Sequence, residues 1–83
     1  MTKDSTLWKE KEKREEFQKA VGFRVRQYRE QKKWTQEMLA QAAHINDKYV
    51  YDIEIGNKCM SIWVLVKVAG ALGVDAEWLL TAK

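Results

Sequence analysis

The stretch Trp34 to Gly56, WTQEMLAQAAHINDKYVYDIEIG, decides how the rest of the chain is read. Thr35 offers a side-chain oxygen just before an apolar stripe of Leu39, Ala40 and Ala43 at helical spacing. A helix is therefore expected from Gln36 to about Ala43, with Thr35 capping its first amides. Asn46 is a second capping residue, after which Val50 and Ile53 repeat three apart until Gly56, a residue free to take positive φ. Only the His44, Ile45, Asn46 corner separates the two helices, so they must cross sharply and leave one face of the second bare. With Ile45, Val50 and Ile53 turned inward, the outward row is predicted to be Asp47, Lys48, Tyr51, Asp52 and Ile55. A short helix held proud of a compact body has the width to enter the major groove of DNA, where base edges carry a distinctive donor and acceptor pattern.

Upstream, Phe17, Val21, Val25 and Tyr28 recur every three or four residues and predict a first helix from Phe17 to about Lys32. Gly22 is unfavourable inside a helix, so it marks either close packing or the joint with what precedes it. Lys32 and Lys33 set positive charge at the helix C-terminus, where the macrodipole favours it. Downstream, Ser61 is a cap for a fourth helix whose buried side is predicted to be Ile62, Leu65, Val66, Ala69 and Leu72, ending at Gly73. Asp75 then caps a fifth carrying Trp78, Leu79 and Leu80. There is no proline, and the β-branched residues from Val64 to Val68 lie in a helical frame. The expected fold class is all-α: five helices around one core, with the helix-turn-helix at about 35–55 of a domain spanning 17–83.

Residues 1–16 form a charged N-terminal arm in which Lys3, Lys9, Lys11, Lys13 and Arg14 offset Asp4, Glu10, Glu12, Glu15 and Glu16. The net charge of +3 therefore lies wholly in residues 17–83. A solvated helical extension is the plain expectation for such a run. The alternative is that Leu7 and Trp8 dock onto a neighbouring subunit.

Eighty-three residues allow one small domain, leave no room for a separate effector-binding domain, and make added stability from a partner subunit natural. The positive charge favours a polyanionic partner. Cys59 is the single cysteine, which excludes an internal disulfide and fits a reducing cytoplasm. No apolar run is long enough for a membrane span or a secretory leader, so a soluble cytoplasmic protein is expected. With one histidine, one cysteine and no glycine-rich phosphate loop, neither an enzyme site, a cofactor nor a metal site is expected.

From about Phe17 to Leu80 the chain resembles the Xre/Cro-like helix-turn-helix regulators, the lambdoid repressor-like DNA-binding domains. The matching residues are Val21-Gly22, Val25-Arg26, Arg29, Thr35-Gln36-Glu37, Leu39-Ala40, Ala43, Ile45, Tyr49-Val50, Ile53-Glu54, Gly56, Ala69 to Val74 and Trp78-Leu79-Leu80. The resemblance implies a transcriptional repressor acting as a dimer on a palindromic operator in double-stranded DNA. It implies that Gln36 meets the DNA backbone and buttresses the recognition helix, and that Asn46, Asp47, Lys48, Tyr49, Tyr51 and Asp52 form the reading face. Lys48 suits guanine O6 and N7, while an aspartate accepts from cytosine N4. Asn57 and Lys58 follow as phosphate contacts, and Arg29 with Glu54 as an ion pair that orients the recognition helix. His44 stands where the family often has glycine, and histidine tolerates the left-handed region better than most residues.

Trp63, at a commonly polar position, joins Ile55, Met60, Ala76 and Leu80 in an apolar patch expected to be the homodimer interface. Asp47 and Asp52 oppose the phosphate attraction that supplies most DNA affinity. They motivate the alternative of a protein interaction module that keeps the fold without binding specific DNA.

Overall fold

The computed structural model describes the backbone of residues 3–81 and the side chains of residues 9–81. The expected docking residues Leu7 and Trp8 lie outside the described side chains. Five helices follow in order: α1 (Lys3–Gln31), α2 (Gln36–Ala43), α3 (Asp47–Glu54), α4 (Ile62–Leu72) and α5 (Ala76–Leu80), with no strand among the described residues. None of these helices is long and apolar enough to cross a membrane.

The boundaries follow from side-chain caps and a repeated backbone stop. Thr35, Asn46 and Ser61 accept from the amides of Met38, Lys48 and Val64, satisfying donors that a helix start leaves orphaned. Asp75 precedes α5 in extended geometry but makes no such side-chain bond. The first four helices each end on a left-handed residue: Lys33, His44, Gly56 and Gly73. In each, the following amide bonds to the carbonyl five residues back, as from Trp34 to the Arg29 carbonyl and from Asn57 to the Asp52 carbonyl. This is the Schellman arrangement. His44 (φ 58°) takes the glycine-like position expected for it, whereas Lys33 (φ 61°) is a second non-glycine in that region.

The core is built from Val21, Val25, Leu39, Ala40, Ala43, Val50, Ile53, Val64, Val68, Ala69, Leu72 and Leu79, so every helix contributes. α1 is continuous through the expected arm boundary at residues 16 and 17, and no break separates charged extension from domain. Phe17 is largely exposed, and Val21 and Val25 carry the contact instead. Arg24 donates to the Leu79 carbonyl (3.1 Å), and Tyr28 stacks on Trp78 (6.4 Å between centroids), which ties α1 to α5.

Two glycines set the approach of α1 to α3. A Cβ at Gly22 would run into the carbonyl oxygen of Ile53 and lie 2.8 Å from that of Glu54. A Cβ at Gly56 would lie 2.6 Å from Cγ of Lys19, and Gly56 also needs its positive φ. Gly22 therefore marks close packing, the first of its two sequence readings.

On α4 the buried frame differs from expectation. Val64, Val68, Ala69 and Leu72 are buried, while Ile62 is 82% and Val66 50% exposed. The physical reason is that α4 is apolar almost all round, so its pattern does not say which stripe faces in.

Candidate nucleic-acid interface

α3 is seated by charge at its C-terminal end and by apolar packing along its inner side. Val50 and Ile53 are fully or almost fully buried, and Ile45 packs half-buried beside them. Arg29, at the end of α1, donates from Nε and Nη2 to the two carboxylate oxygens of Glu54 at 2.7 and 2.8 Å. Its Nη1 reaches the Trp34 carbonyl (2.8 Å), and Gln36 Nε2 donates to Glu54 Oε1 (3.0 Å). A carboxylate with 3% of its side chain exposed is thus satisfied from α1 and α2 together. The hydrogen bond to Glu54 raises the Arg29 pKa above its ordinary value against the opposing pull of burial, and the charges of Glu54 and Glu30 add to the rise. Such a two-bond fork fixes orientation as well as distance. The pair joins the helix-turn-helix to the body through three elements.

With that end clamped, the other end of α3 stands out. Asp47, Lys48 and Tyr51 are exposed, and Ile55 is half-exposed just past the last turn. Asn46, Lys48, Tyr49, Asp52 and Lys58 line one shallow cleft between the start of α3 and the loop that follows it. The Asn46 side-chain oxygen is occupied by the Lys48 amide (2.8 Å). Tyr49 is half-buried against the core, with the Lys58 ammonium 5.3 Å from its ring centroid. Asn57 is exposed on the loop.

Asp52 corrects the sequence reading. It was expected on the outward row, but only 8% of its side chain is exposed, and its Oδ2 lies 3.5 Å from Lys48 Nζ. On the helix Asp52 lies one turn on from half-buried Tyr49 and next to buried Ile53, and so falls at the edge of the inner side, not on the outward row. Asp52 therefore presents no free carboxylate to a base edge. Gln36 is likewise engaged through its amide nitrogen with Glu54, which leaves its oxygen and the amides at the α2 start to face a ligand.

Of the expected dimer residues, Met60, Trp63 and Leu80 border an apolar surface that also takes in residues not expected there. Met60 and Leu80 line a groove with Phe17, Val21 and Leu65, whereas Trp63 points away from Leu65 on the opposite side of α4 and is 66% exposed. Ile62, three residues from Leu65, and Val66, three residues from Trp63, bridge the two parts. Ala76 is half-buried and packs against the core, and Ile55 lies at the end of α3. Ile62 and Val66 were missed because both fit a core stripe equally well.

The geometry agrees with what the chain is related to. The helix-turn-helix family model matches residues 25–79. The chain belongs to the Xre/Cro-like helix-turn-helix family. Among curated relatives of this family, the immunity repressor protein of Bacillus phage phi105 is 41% identical over 57 residues, 69% of this chain and 40% of that protein. The HTH-type transcriptional regulator RamB of Mycobacterium tuberculosis is 38% identical over 58 residues, 70% of this chain but 12% of its own length. The chain thus spans well under half of these curated relatives. Among solved helix-turn-helix structures, the restriction-modification controller protein C.AhdI from Aeromonas hydrophila has a TM-score of 0.73 at 31% identity, covering 75% of this chain and 94% of its own. The clp gene regulator ClgR from C. glutamicum gives 0.72 at 31% identity, over 77% and 83%.

Proposed function

We propose that the protein is a sequence-specific DNA-binding regulator, a repressor that acts as a homodimer on a palindromic operator. The observation that carries this reading is the mounting of α3. Its C-terminal end is clamped by Arg29, Glu54 and Gln36, while Asp47 and Lys48 project at its start and Tyr51 from its middle. A rigid helix with donors on its free face fits the major groove, and Lys48 is the residue suited to guanine. Tyr51 reaches a thymine methyl or a phosphate; Asn57, Lys58 and the α2 start with Gln36 meet the phosphates on either side. No catalytic step enters this function, and the net charge of +3 suits a polyanion.

The apolar arc on α4 supports dimerisation. Ile62, Trp63 and Val66 share one exposed side with Gly70, and the one charged residue of this helix, Lys67, lies beside Trp63 at the edge of that side. A twofold axis through it would set two copies of α3 about one helical turn of DNA apart, ~34 Å.

Selection of bound duplexes from a random pool, followed by titration at several salt concentrations, tests the reading. The expected result is one enriched sequence with two related half-sites and a negative log-log salt slope. Lys48→Gln is expected to relax base preference at one position of each half-site by about 1–3 kcal/mol. A pool in which nothing is enriched would instead favour an interaction module using the α4 arc to hold a protein.

A further inference from the structure

Asp52 poses a physical question that the core and the clamp do not answer. A carboxylate withdrawn from water needs a charged or hydrogen-bonding partner. Among the described residues its partner is the Lys48 ammonium at 3.5 Å, on a side chain that is itself 77% exposed. As a helix-stabilising device the pair is poor. Lysine four residues before a carboxylate is the less favourable order, and it sets the positive charge toward the helix N-terminus against the macrodipole. Lys58, across the same cleft, stands over the Tyr49 ring instead. Of the two lysines in the cleft, the one on the recognition helix is therefore the one held by a buried anion.

We infer that Asp52 is a positioning residue for base readout, whose buried carboxylate fixes the Lys48 ammonium on the outer side of α3 and offsets its charge toward phosphates. This rests on the DNA-binding reading above. An ammonium has three donors. With one directed at Asp52, two remain, enough for guanine O6 and N7 together. A free lysine on this face would swing to the nearest phosphate and add affinity for any sequence through counterion release. Held and largely neutralised, Lys48 gives little to random DNA and keeps its contribution for the base edge. The residue that looked unsuited to a DNA-facing helix is thereby what makes its neighbour selective.

The test compares the full chain with Asp52→Asn, Lys48→Gln and the double variant. Each is titrated against the duplex the wild type selects and against a scrambled duplex across a salt series. Asp52→Asn is expected to tighten scrambled binding about 3-fold or more, with a salt slope steeper by up to about one. It should also cut the selected-to-scrambled ratio by about 10-fold, the scale of one base contact. In the Lys48→Gln background the same change should alter the ratio by less than about 2-fold, since there is no ammonium left to place. A ratio unchanged by Asp52→Asn, or changed equally in both backgrounds, overturns the inference while leaving DNA recognition intact. A wild-type chain that selects no duplex overturns both. Nitrogen relaxation of the lysine ammonium groups in the wild type is a second readout that does not depend on the variants folding. Lys48 Nζ should reorient more slowly than Lys19 Nζ, and equal mobility overturns the inference.

Discussion

α3 and α4 are built alike and finished differently. Each begins at a side-chain cap, Asn46 or Ser61, and each is followed by a left-handed glycine, Gly56 or Gly73. Each lays valine on the core. Outward, however, α3 shows Asp47, Lys48 and Tyr51, while α4 shows Ile62, Trp63 and Val66. The contrast extends to how they are held. α3 is fastened by a buried ionic clamp that fixes its direction, whereas α4 is held by apolar packing, which is less directional. A surface meant to read hydrogen-bonding edges needs orientation; a surface meant to exclude water needs area and shape. On the proposed function the two helices divide recognition of a polar ligand from association with an apolar one.

The largest effect should come from breaking the clamp. Glu54→Ala leaves Arg29, with 11% of its side chain exposed, without the carboxylate it is hydrogen-bonded to, and releases Gln36. Removing one partner of such a pair costs about 3–5 kcal/mol, read as a fall in the urea midpoint. A loss below about 1 kcal/mol would mean that apolar packing alone seats α3, as it seats α4. The pH sign also follows. Because the folded pKa of Arg29 is raised, its stabilisation is complete below the unfolded value and is lost only as pH climbs past ordinary arginine titration. Its contribution should therefore stay flat between about pH 6 and 9.

Trp63→Ser probes the other side of the contrast. The indole is 66% exposed, with Lys67 Nζ 5.6 Å from its ring centroid. Monomer stability should scarcely change, while the proposed dimer should weaken by about 2 kcal/mol or more, as for a tryptophan at the centre of an interface. Sedimentation across a concentration series measures it. A wild type that remains monomeric at tens of micromolar would remove the α4 arc from the account of dimerisation.

Gly22→Ala lies between these in character, acting on α3 through α1. The added methyl meets the backbone carbonyls of Ile53 and Glu54, which cannot rotate aside as a side chain can. Overpacking of this kind costs about 1–3 kcal/mol by thermal unfolding, and the displaced α3 should also bind DNA more weakly.

What could be read beforehand divides along the same line. The limits of α2 and α4 and the register of α3 followed from Thr35, Asn46, Ser61, Gly56 and Gly73, because capping is local chemistry. The Arg29 and Glu54 contact, 25 residues apart, was suggested by family resemblance and not by spacing. Three features stayed hidden. Lys33 ends α1 in the left-handed region with no glycine to announce it. Asp52 is polar yet buried, because it shares the inner edge of α3 with Tyr49 and Ile53, and a pattern of apolar residues alone does not show how wide that buried side is. Ile62 and Val66 are apolar yet exposed, because α4 has more apolar surface than the core has room for.

The smallest expected effect concerns the joint between α2 and α3. His44 holds φ 58° and ψ 47°, and Lys67 Nζ donates to its carbonyl from α4 (3.3 Å). A side chain in that region costs roughly 1–2 kcal/mol that glycine avoids, while glycine gives back part through the greater freedom of its unfolded chain. His44→Gly keeps the carbonyl and so keeps the Lys67 contact. The net expectation is a gain of up to about 1 kcal/mol in the urea midpoint, with duplex affinity and dimerisation unchanged. A loss of stability would show that the imidazole itself holds the turn. Unchanged stability with altered duplex selection would show that the corner sets the pose of α3, and orientation would then be shared between the turn and the clamp.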